Sequence, residues 1–247
     1  MKTYIETMQE KLAGLTARLY LFEEIDSTNT FAKSLALQER AVVLAKRQTA
    51  GRGRRGKAWD SKGEEDLYIS FYEPHVKGDL LGLTLAVALA VTKTLGQFGV
   101  TCEIKWPNDI LVNGKKLVGI LCEANFEKDE IAVIIGIGIN VNRSVFPTLA
   151  GNIPTSMYLE LGHETELPAL ILMLDEMLRR QLTLFEKEGF LGMQREYEKY
   201  SVTLGTQIKA GDTEGLCIGF SERGGILLQQ ENCTTPIEVF TGIIEEV

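Results

Sequence analysis

The chain has 247 residues, a net charge of −8 and a sequence pI near 5.0, and this acidic balance argues against a dedicated nucleic-acid-binding protein. The length fits one large domain, or one domain with a small appendage, and allows a core that needs no disulfide or structural metal. The cysteines lack metal-ligand spacing, so we predict free thiols. No uncharged run is long enough to span a membrane, and the polar N-terminal residues do not resemble a signal peptide. We therefore predict a cytosolic location.

Hydrophobic periodicity and turn residues divide most of the chain into helices and strands. The predicted elements are, in chain order, a helix over 3–13, a strand over 19–25, a helix capped by Ser27 or Thr28, strands over 41–46 and 67–72, a helix over 80–97, strands over 100–106, 110–112, 117–123 and 131–141, and a helix from Pro168 to about Lys187. Asn113-Gly114 predicts a two-residue hairpin turn. The segment 131–141 is nearly all apolar, which predicts a central strand covered on both faces.

The composition changes after Tyr200. Short apolar runs are separated there by turn sequences such as Ala210-Gly211-Asp212 and Arg223-Gly224-Gly225, which is typical of a small all-β module. We therefore divide the chain into residues 1–200 and 201–247. The predicted class is α+β, with a mixed sheet and flanking helices followed by the β module.

A cationic segment, Gly51-Arg52-Gly53-Arg54-Arg55-Gly56, lies in a predicted long loop and is called the Gly-Arg loop below. Its glycines permit close backbone approach to a ligand, and its arginines carry forked donors that match phosphate oxygens. Trp59 follows and could stack on a ring. A P-loop is disfavoured because Ala58 occupies the Ser/Thr position, whereas an RG-type nucleic-acid segment and an idle solvated loop stay open on this segment alone.

The segment Lys105-Trp106-Pro107-Asn108-Asp109 leaves its strand in a rigid way, because Pro107 fixes its own φ and restricts Trp106. Asn108 offers a donor and an acceptor that suit a base edge or a ribose. Asp109 could pair with Lys105 or help to hold a magnesium ion. The alternative is an ordinary strand end followed by a turn.

Two further segments are weaker signals. Lys115-Lys116 follows the predicted hairpin turn, where lysines are usually solvated. Gly136-Ile137-Gly138-Ile139-Asn140 places glycines in a buried strand, which indicates that a ligand or another group needs the space, or simply close packing. His75 and His163 adjoin no nucleophile or metal-ligand cluster, so the sequence favours chemistry by charge stabilisation and positioning.

Taken together and in this order, the segments resemble the biotin–protein ligase family, also called biotin–[acetyl-CoA carboxylase] ligases. The matching signatures are Asp26-Ser27-Thr28-Asn29, Gln48-Thr49-Ala50 with the Gly-Arg loop, Lys105-Trp106-Pro107-Asn108-Asp109, Lys115-Lys116-Leu117-Val118-Gly119-Ile120 and Gly136-Ile137-Gly138-Ile139-Asn140. The resemblance extends from about Leu19 to the C-terminus. It implies a class II synthetase-like catalytic domain over 1–200 and an SH3-like barrel over 201–247.

The resemblance also implies an activity in two steps. ATP and biotin would form biotinyl-5′-AMP with the help of Mg²⁺, and the biotinyl group would then pass to a lysine of a biotin carboxyl carrier protein domain. Only about 25 residues precede Asp26, too few for the winged-helix domain of some bacterial relatives, so we expect no direct binding to nucleic acid. We also expect no membrane association and a monomer or weak homodimer.

The residue roles implied by the resemblance fall into four groups. Biotin contacts are assigned to Ser27, Thr28, Asn29, Gln48, Arg52, Gly53, Arg54 and Lys116. Contacts with ATP or the adenylate are assigned to Arg52, Arg54, Lys57, Trp59, Asn108 and Asn140. Lys116 and Arg52 are the catalytic candidates, and Asp109 is the candidate metal ligand.

Three other functions fit the sequence less well. A lipoate–protein ligase or octanoyltransferase shares the fold but should lack the Lys105–Asp109 signature and the Gly-Arg loop. A regulatory module that senses the adenylate without transferring it is disfavoured by the presence of Lys116 and Arg52. A nucleic-acid-binding module is the most distant, given the net charge.

Overall fold

The computed structural model describes residues 2–127, 130–147, 153–231, 233–240 and 244–246. The α-helices are α1 (Tyr4–Lys11), α2 (Thr28–Lys33), α3 (Leu83–Gln97), α4 (Met157–Leu161), α5 (Leu167–Glu188) and α6 (Gln194–Glu198). The strands are β1 (Arg18–Ile25), β2 (Ala41–Gln48), β3 (Leu67–Glu73), β4 (Glu103–Lys105), β5 (Asp109–Val112), β6 (Lys115–Glu127), β7 (Glu130–Ile139), β8 (Gln207–Ala210), β9 (Thr213–Phe220), β10 (Ile226–Gln229), β11 (Ile237–Val239) and β12 (Ile244–Glu246).

Strands β1 to β7 form a mixed sheet in the order β1-β2-β3-β7-β6-β5-β4. Strands β1 and β2 are parallel, and the other neighbours are antiparallel. The apolar segment predicted to be a central strand is β7, which lies in the middle of this sheet, so that prediction is confirmed. Because side chains alternate along a strand, Ile135 and Ile137 enter the main core while Gly136 and Gly138 face the opposite side.

The two faces of the sheet are covered differently. Helices α3 and α5 pack together on one face, and most of α3 is buried because it is rich in leucine, alanine and valine. On the other face α2 covers a smaller cluster that includes Ala32, Val43, Tyr72 and Ile134. Helix α2 has only six residues, so it leaves the rest of that face accessible beside its first turn.

Several local predictions are confirmed by the backbone. The side chain of Ser27 caps α2 by accepting a hydrogen bond from the Thr30 N–H at 3.4 Å. Asn113 and Gly114 have φ values of 51° and 72°, the positive pair that a type I′ hairpin turn requires. Helix α5 ends at Gly189 as its sequence indicated.

Several predicted boundaries differ from the structure: β6 covers Lys115–Glu127 rather than 117–123, and α3 begins at Leu83 rather than at residue 80. Strand β4 covers only Glu103–Lys105 rather than 100–106, because it lies at the sheet edge and has β5 as its single strand partner. Helices α4 and α6 were not predicted, because five residues are too few to produce a helical periodicity.

The C-terminal residues form a five-stranded antiparallel sheet in the order β11-β10-β9-β8-β12. Phe220 and Leu228 of this sheet belong to the same hydrophobic core as α3 and β7. Trp106 joins the two parts, since its indole Nε1–H donates to the carbonyl of Gly224 at 3.0 Å and its backbone N–H donates to Thr203 Oγ1 at 3.0 Å. The predicted α+β class is confirmed, and the division at residue 200 stays a prediction.

Cys102, Cys122, Cys217 and Cys233 are free thiols, as predicted. No helix within the described ranges combines the length and the apolar character that crossing a membrane requires.

Replacing Trp106 with phenylalanine should lower the free energy of unfolding by about 1–3 kcal/mol, because the buried carbonyl of Gly224 loses its donor. Chemical denaturation measures this change. Trp59→Phe is the matched control, since the Trp59 Nε1–H has no hydrogen-bond partner among the described residues. Equal losses in the two variants would contradict the assigned role of the Trp106 hydrogen bond.

Candidate active site

A cavity of about 480 Å³ opens on the sheet face that α2 leaves accessible. Its wall comes from the first turn of α2, the Gly-Arg loop and the residues after it, the start of β5, and the centres of β6 and β7. The sequence-predicted site residues all line it, namely Ser27, Thr28, Asn29, Gln48, Arg52, Gly53, Arg54, Lys57, Trp59, Asn108, Asp109, Lys116 and Asn140. Segments that are far apart in the sequence therefore meet around one space.

One end of the cavity is formed by uncharged polar side chains that are paired with each other. The Thr28 backbone N–H donates to Gln48 Oε1 at 2.8 Å, and Thr28 Oγ1 lies 3.1 Å from the same oxygen. The Ser70 hydroxyl lies 2.8 Å from Thr28 Oγ1 and 2.6 Å from Asn29 Oδ1. All four residues are buried, so these contacts satisfy groups that would otherwise be costly to bury and fix their orientation.

The floor of the cavity is a part of the sheet that carries no side chains. A Cβ atom at Gly136 would lie 2.0 Å from Asn29 Oδ1, and one at Gly138 would lie 2.4 Å from Trp59 Nε1. A Cβ atom at Gly119, which pairs with Gly138 on the neighbouring strand, would lie 2.7 Å from the Trp59 ring. The strand glycines were predicted to make room for a ligand or another group, and here the space is used by Asn29 and Trp59.

The Gly-Arg loop folds back on itself. The Gly53 N–H donates to the Lys57 carbonyl at 2.7 Å, and the Trp59 N–H donates to the Gly51 carbonyl at 3.0 Å. Arg55 takes a left-handed conformation at the tip with φ of 55°, and it is exposed, as is Lys57. The backbone thus presents a tight turn whose two arms converge on the cavity.

Arg52 forms a two-pronged ion pair with Glu123 of β6. Its Nη1 and Nη2 atoms each lie 3.1 Å from a different carboxylate oxygen. Glu123 also accepts a hydrogen bond from Asn29 Nδ2 at 3.1 Å, and the Lys33 ammonium lies 3.6 Å away. Although burial alone would raise the pKa of Glu123, the Asn29 hydrogen bond and the Arg52 charge hold that pKa below its ordinary value.

Arg54 turns into the cavity from the same loop. Its Nη1 donates to Asn108 Oδ1 at 3.0 Å, and Asn108 Nδ2 in turn donates to the Ile120 carbonyl at 3.1 Å. Burial and the neighbouring Arg55 lower the pKa of Arg54, while Asp109 opposes that change. The amide that was predicted to read a base edge or a ribose is thus engaged at both ends with protein groups.

Lys116 and Asp109 form an ion pair across β5 and β6, with Nζ 2.7 Å from Oδ1. The Lys116 ammonium also lies 5.4 Å from the centre of the Trp59 ring, within the range of a cation–π contact. Lys105, which was predicted as a partner of Asp109, pairs with it in the backbone register of β4 and β5. The contact between the Asp109 carboxylate and Lys116 was not predicted.

Asn140, the residue directly after β7, is buried at the edge of the cavity. Its Nδ2 donates to the Thr155 carbonyl at 2.9 Å, and its backbone N–H donates to the Leu117 carbonyl at 3.1 Å. These contacts tie the end of the central strand to the segment before α4 and to β6.

Asp109 was the sequence-predicted metal ligand. The described ranges contain no group of three or more histidine, cysteine or acidic side chains placed to hold a metal ion. A single carboxylate in a cavity is nevertheless a common arrangement for Mg²⁺, which keeps several waters and binds through one or two carboxylates together with substrate phosphates. Asp109 therefore fits an ion that arrives with a phosphate ligand.

Sequence reasoning missed three side chains that hold the site together. Glu123 and Ser70 lie on the same sheet face as Gly136, and an alternation argument along β6 and β3 could have identified them. Arg143 also lines the cavity, but its partners Asp60 and Asp66 are remote in sequence, and no motif marks the pairing.

Replacing Arg52 with alanine should raise the pKa of Glu123, because the charge that favours the ionised carboxylate is removed. Because the pKa of Glu123 is lowered in the folded protein, the ionised carboxylate stabilises the fold at pH values above the ordinary glutamate pKa. This stabilisation is lost as the pH falls through the pKa that Glu123 has in the folded protein. A ¹³C NMR titration of the Glu123 carboxyl carbon measures the change.

Arg55→Ala is the matched control for that titration, since it removes an equal charge from the exposed tip of the same loop. It should leave the midpoint of Glu123 nearly unchanged. The ion pair would be disproved as the cause if both variants moved the midpoint equally, or if neither moved it.

The chain is similar to known proteins in both sequence and fold. Residues 21–140 match the model of the Biotin/lipoate A/B protein ligase family. The chain is 34% identical over 224 residues to the bifunctional ligase/repressor BirA of Bacillus subtilis, covering 85% of this chain and 69% of that protein. It is 31% identical over 222 residues to the biotin–[acetyl-CoA-carboxylase] ligase of Paracoccus denitrificans, covering 83% of this chain and 91% of that protein.

The fold agrees with the sequence comparison. The biotin protein ligase from Aquifex aeolicus, solved in complex with biotin and ATP, superposes with a TM-score of 0.83 at 30% identity and covers 93% of this chain and 99% of that one. This similarity includes the C-terminal sheet as well as the sheet that carries the cavity. Sequence, fold and the set of residues around the cavity thus agree, and the chain belongs to the biotin–protein ligase family of enzymes.

Proposed function

We propose that this protein uses ATP to convert biotin to biotinyl-5′-AMP and then transfers the biotinyl group to a lysine of a biotin carboxyl carrier protein domain. The observation that carries this proposal is the distribution of charge in the cavity. An uncharged polar end formed by Thr28, Asn29 and Gln48 is continuous with a cationic part formed by Arg52 and Lys116. Such a cavity suits a ligand with a neutral polar head and an anionic tail.

The polar end fits the ureido head of biotin. Thr28, Asn29, Gln48 and Ser27 supply both hydrogen-bond donors and acceptors without net charge. Because Thr28, Asn29 and Gln48 are oriented by one another and by Ser70, they are positioned before a ligand arrives. A prearranged polar end lowers the cost of ordering side chains on binding.

The cationic part would serve the first step. The biotin carboxylate attacks the α-phosphorus of ATP, a new carboxylate oxygen–phosphorus bond forms, and pyrophosphate leaves with the electrons of the broken phosphorus–oxygen bond. Two anions must approach closely in this step, so fixed cations stabilise the transition state. Lys116 and Arg52 are assigned this role, and in the present structure each is neutralised by an acidic partner, Asp109 and Glu123.

The nucleotide would lie towards Trp59, Asn108 and Asn140, which surround the rest of the cavity. The indole ring of Trp59 offers an aromatic face, and Arg54 with Lys57 supplies positive charge for phosphates. Asp109 would hold the Mg²⁺ that accompanies ATP. When bound, that ion supplies charge neutralisation for the pyrophosphate leaving group.

In the second step the ε-amine of the acceptor lysine attacks the acyl carbon of biotinyl-5′-AMP. An amide bond forms, AMP leaves with the bonding electrons of the mixed anhydride, and the excess proton of the amine passes to solvent. Lys116 and Arg52 would stabilise the charge that develops on the acyl oxygen and the departing phosphate.

The names of the relatives support a carboxylase carrier domain as the acceptor, since one of them is a biotin–[acetyl-CoA-carboxylase] ligase. The cytosolic location, the lack of nucleic-acid binding and the monomeric or weakly dimeric state stay predictions from the sequence.

The test is transfer of biotin to a purified carrier domain in the presence of MgATP, with lipoate as the competing substrate because the matched family model covers both kinds of ligase. We expect pyrophosphate release that depends on biotin, followed by a mass increase of the carrier at one lysine. Release that is independent of biotin, or a preference for lipoate, would refute the proposal.

Lys116→Ala should slow adenylate formation by about 100- to 1,000-fold, the size of effect seen when one preorganised hydrogen-bond donor to a transition state is removed. The rate of biotin-dependent pyrophosphate release gives the measurement. Lys115→Ala is the matched control, because Lys115 is exposed at the hairpin and lies 3.8 Å from Glu160. Near-normal activity of Lys116→Ala in a folded protein would remove Lys116 from the mechanism.

A further inference from the structure

Arg143 is a buried arginine that the proposed chemistry does not use. It lies in the segment after β7, and its side chain is only 9% exposed. Nη1 lies 2.7 Å from Asp60 Oδ2, and Nη2 lies 2.6 Å from Asp66 Oδ2. A Cβ atom at Gly63 would come within 2.5 Å of Nη2, so the absence of a side chain at that position makes room for the guanidinium group.

The two carboxylates that Arg143 joins differ in how firmly they are held. Asp66 precedes β3 and is fully buried, with Oδ1 accepting from the Val141 N–H at 2.9 Å and Oδ2 lying 3.2 Å from the Tyr68 hydroxyl. Asp60 is 38% exposed and belongs to the arm that leads out of the Gly-Arg loop. The planar guanidinium group therefore connects a fixed carboxylate to a partly solvated one.

Asp60 is the residue next to Trp59. The Trp59 ring lies on Gly119 and Gly138 in the floor of the cavity, and its Nε1–H has no hydrogen-bond partner in the described part of the chain. Its backbone N–H donates to the Gly51 carbonyl of the same loop, and its carbonyl accepts a hydrogen bond from Ser61 Oγ at 3.2 Å. The ion pair between Asp60 and Arg143 thus ties this arm to the segment that follows the central strand.

We propose that Arg143 is a positioning residue: by holding Asp60 it keeps the Trp59 ring on the sheet glycines, where the ring forms one wall of the nucleotide end of the cavity. The ion pair holds the ring in the protein without ligand. The consequence for ATP rests on the proposed function. A ring held in one place before ATP arrives requires less ordering on binding. Loss of the ion pair between Asp60 and Arg143 should therefore weaken ATP binding more than it slows the chemical step.

The principal test is Asp60→Ala, because Asp60 is partly solvated and its removal leaves the buried pair of Arg143 with Asp66 in place. The protein has two tryptophans, so labelling with 5-fluorotryptophan gives one ¹⁹F resonance for Trp59 and one for Trp106. Trp59→Phe assigns them. In ligand-free Asp60→Ala we expect the Trp59 resonance to shift or broaden while that of Trp106 is unchanged.

The kinetic part of the test compares the two substrates. In Asp60→Ala the KM for ATP should rise by about tenfold or more, with kcat and the KM for biotin within about twofold of the parent values. Glu64→Ala is the matched control, since it removes an exposed acid of the same segment that pairs with Lys46 and Arg47 instead of Arg143. It should behave as the parent protein in both measurements.

A Trp59 resonance and a KM for ATP that are both unchanged in Asp60→Ala would overturn the inference. A fall in kcat with an unchanged KM for ATP would also overturn it, because that pattern places Asp60 in the chemistry and not in positioning. If the parent protein formed no adenylate, the proposed function would fail, whereas the ¹⁹F comparison would still decide whether the ion pair between Asp60 and Arg143 holds the Trp59 ring.

Discussion

The absence of side chains at Gly119, Gly136 and Gly138 is the constraint on which the cavity depends. These glycines are neighbours across β6 and β7, and together they clear one patch on a sheet that is otherwise covered. Asn29 enters that patch from the first turn of α2, and Trp59 enters it from the Gly-Arg loop. Any larger residue at Gly136 would have to displace a buried polar side chain whose partners are already fixed.

Charge pairing is the second feature that organises the site. Arg52 is paired with Glu123, Lys116 with Asp109, and Arg143 with Asp60 and Asp66. These pairs allow cations to converge on one cavity without strong mutual repulsion in the ligand-free protein. A phosphate that enters the cavity must compete with carboxylates for the same donors, which favours ligands able to offer several anionic oxygens at once.

Much of the fold was predictable because its signals are local. Alternation identified the strands, the Asn113-Gly114 pair identified the hairpin, and the apolar run over 131–141 identified the central strand. The site was predictable only as a set of residues, by the order of its motifs. The pairing of acids with cations was not predictable. Asp109 meets Lys116 through the register of β5 and β6, whereas Glu123 meets Arg52, and Arg143 meets Asp60, through the fold of the loop and of segments remote in sequence. No sequence spacing encodes those distances.

The attachment of the C-terminal sheet has an entropic consequence for the cavity. Trp106 is held through its indole and its backbone by Gly224 and Thr203, and Asn108, two residues further on, is held by Ile120. A short segment fixed at both ends has few conformations left to lose. A ligand that contacts Asn108 or Asp109 therefore meets a segment that is already ordered, and binding costs less conformational entropy than it would with a mobile loop. Part of the affinity of the cavity is thus set by residues outside it, such as Thr203 and Gly224.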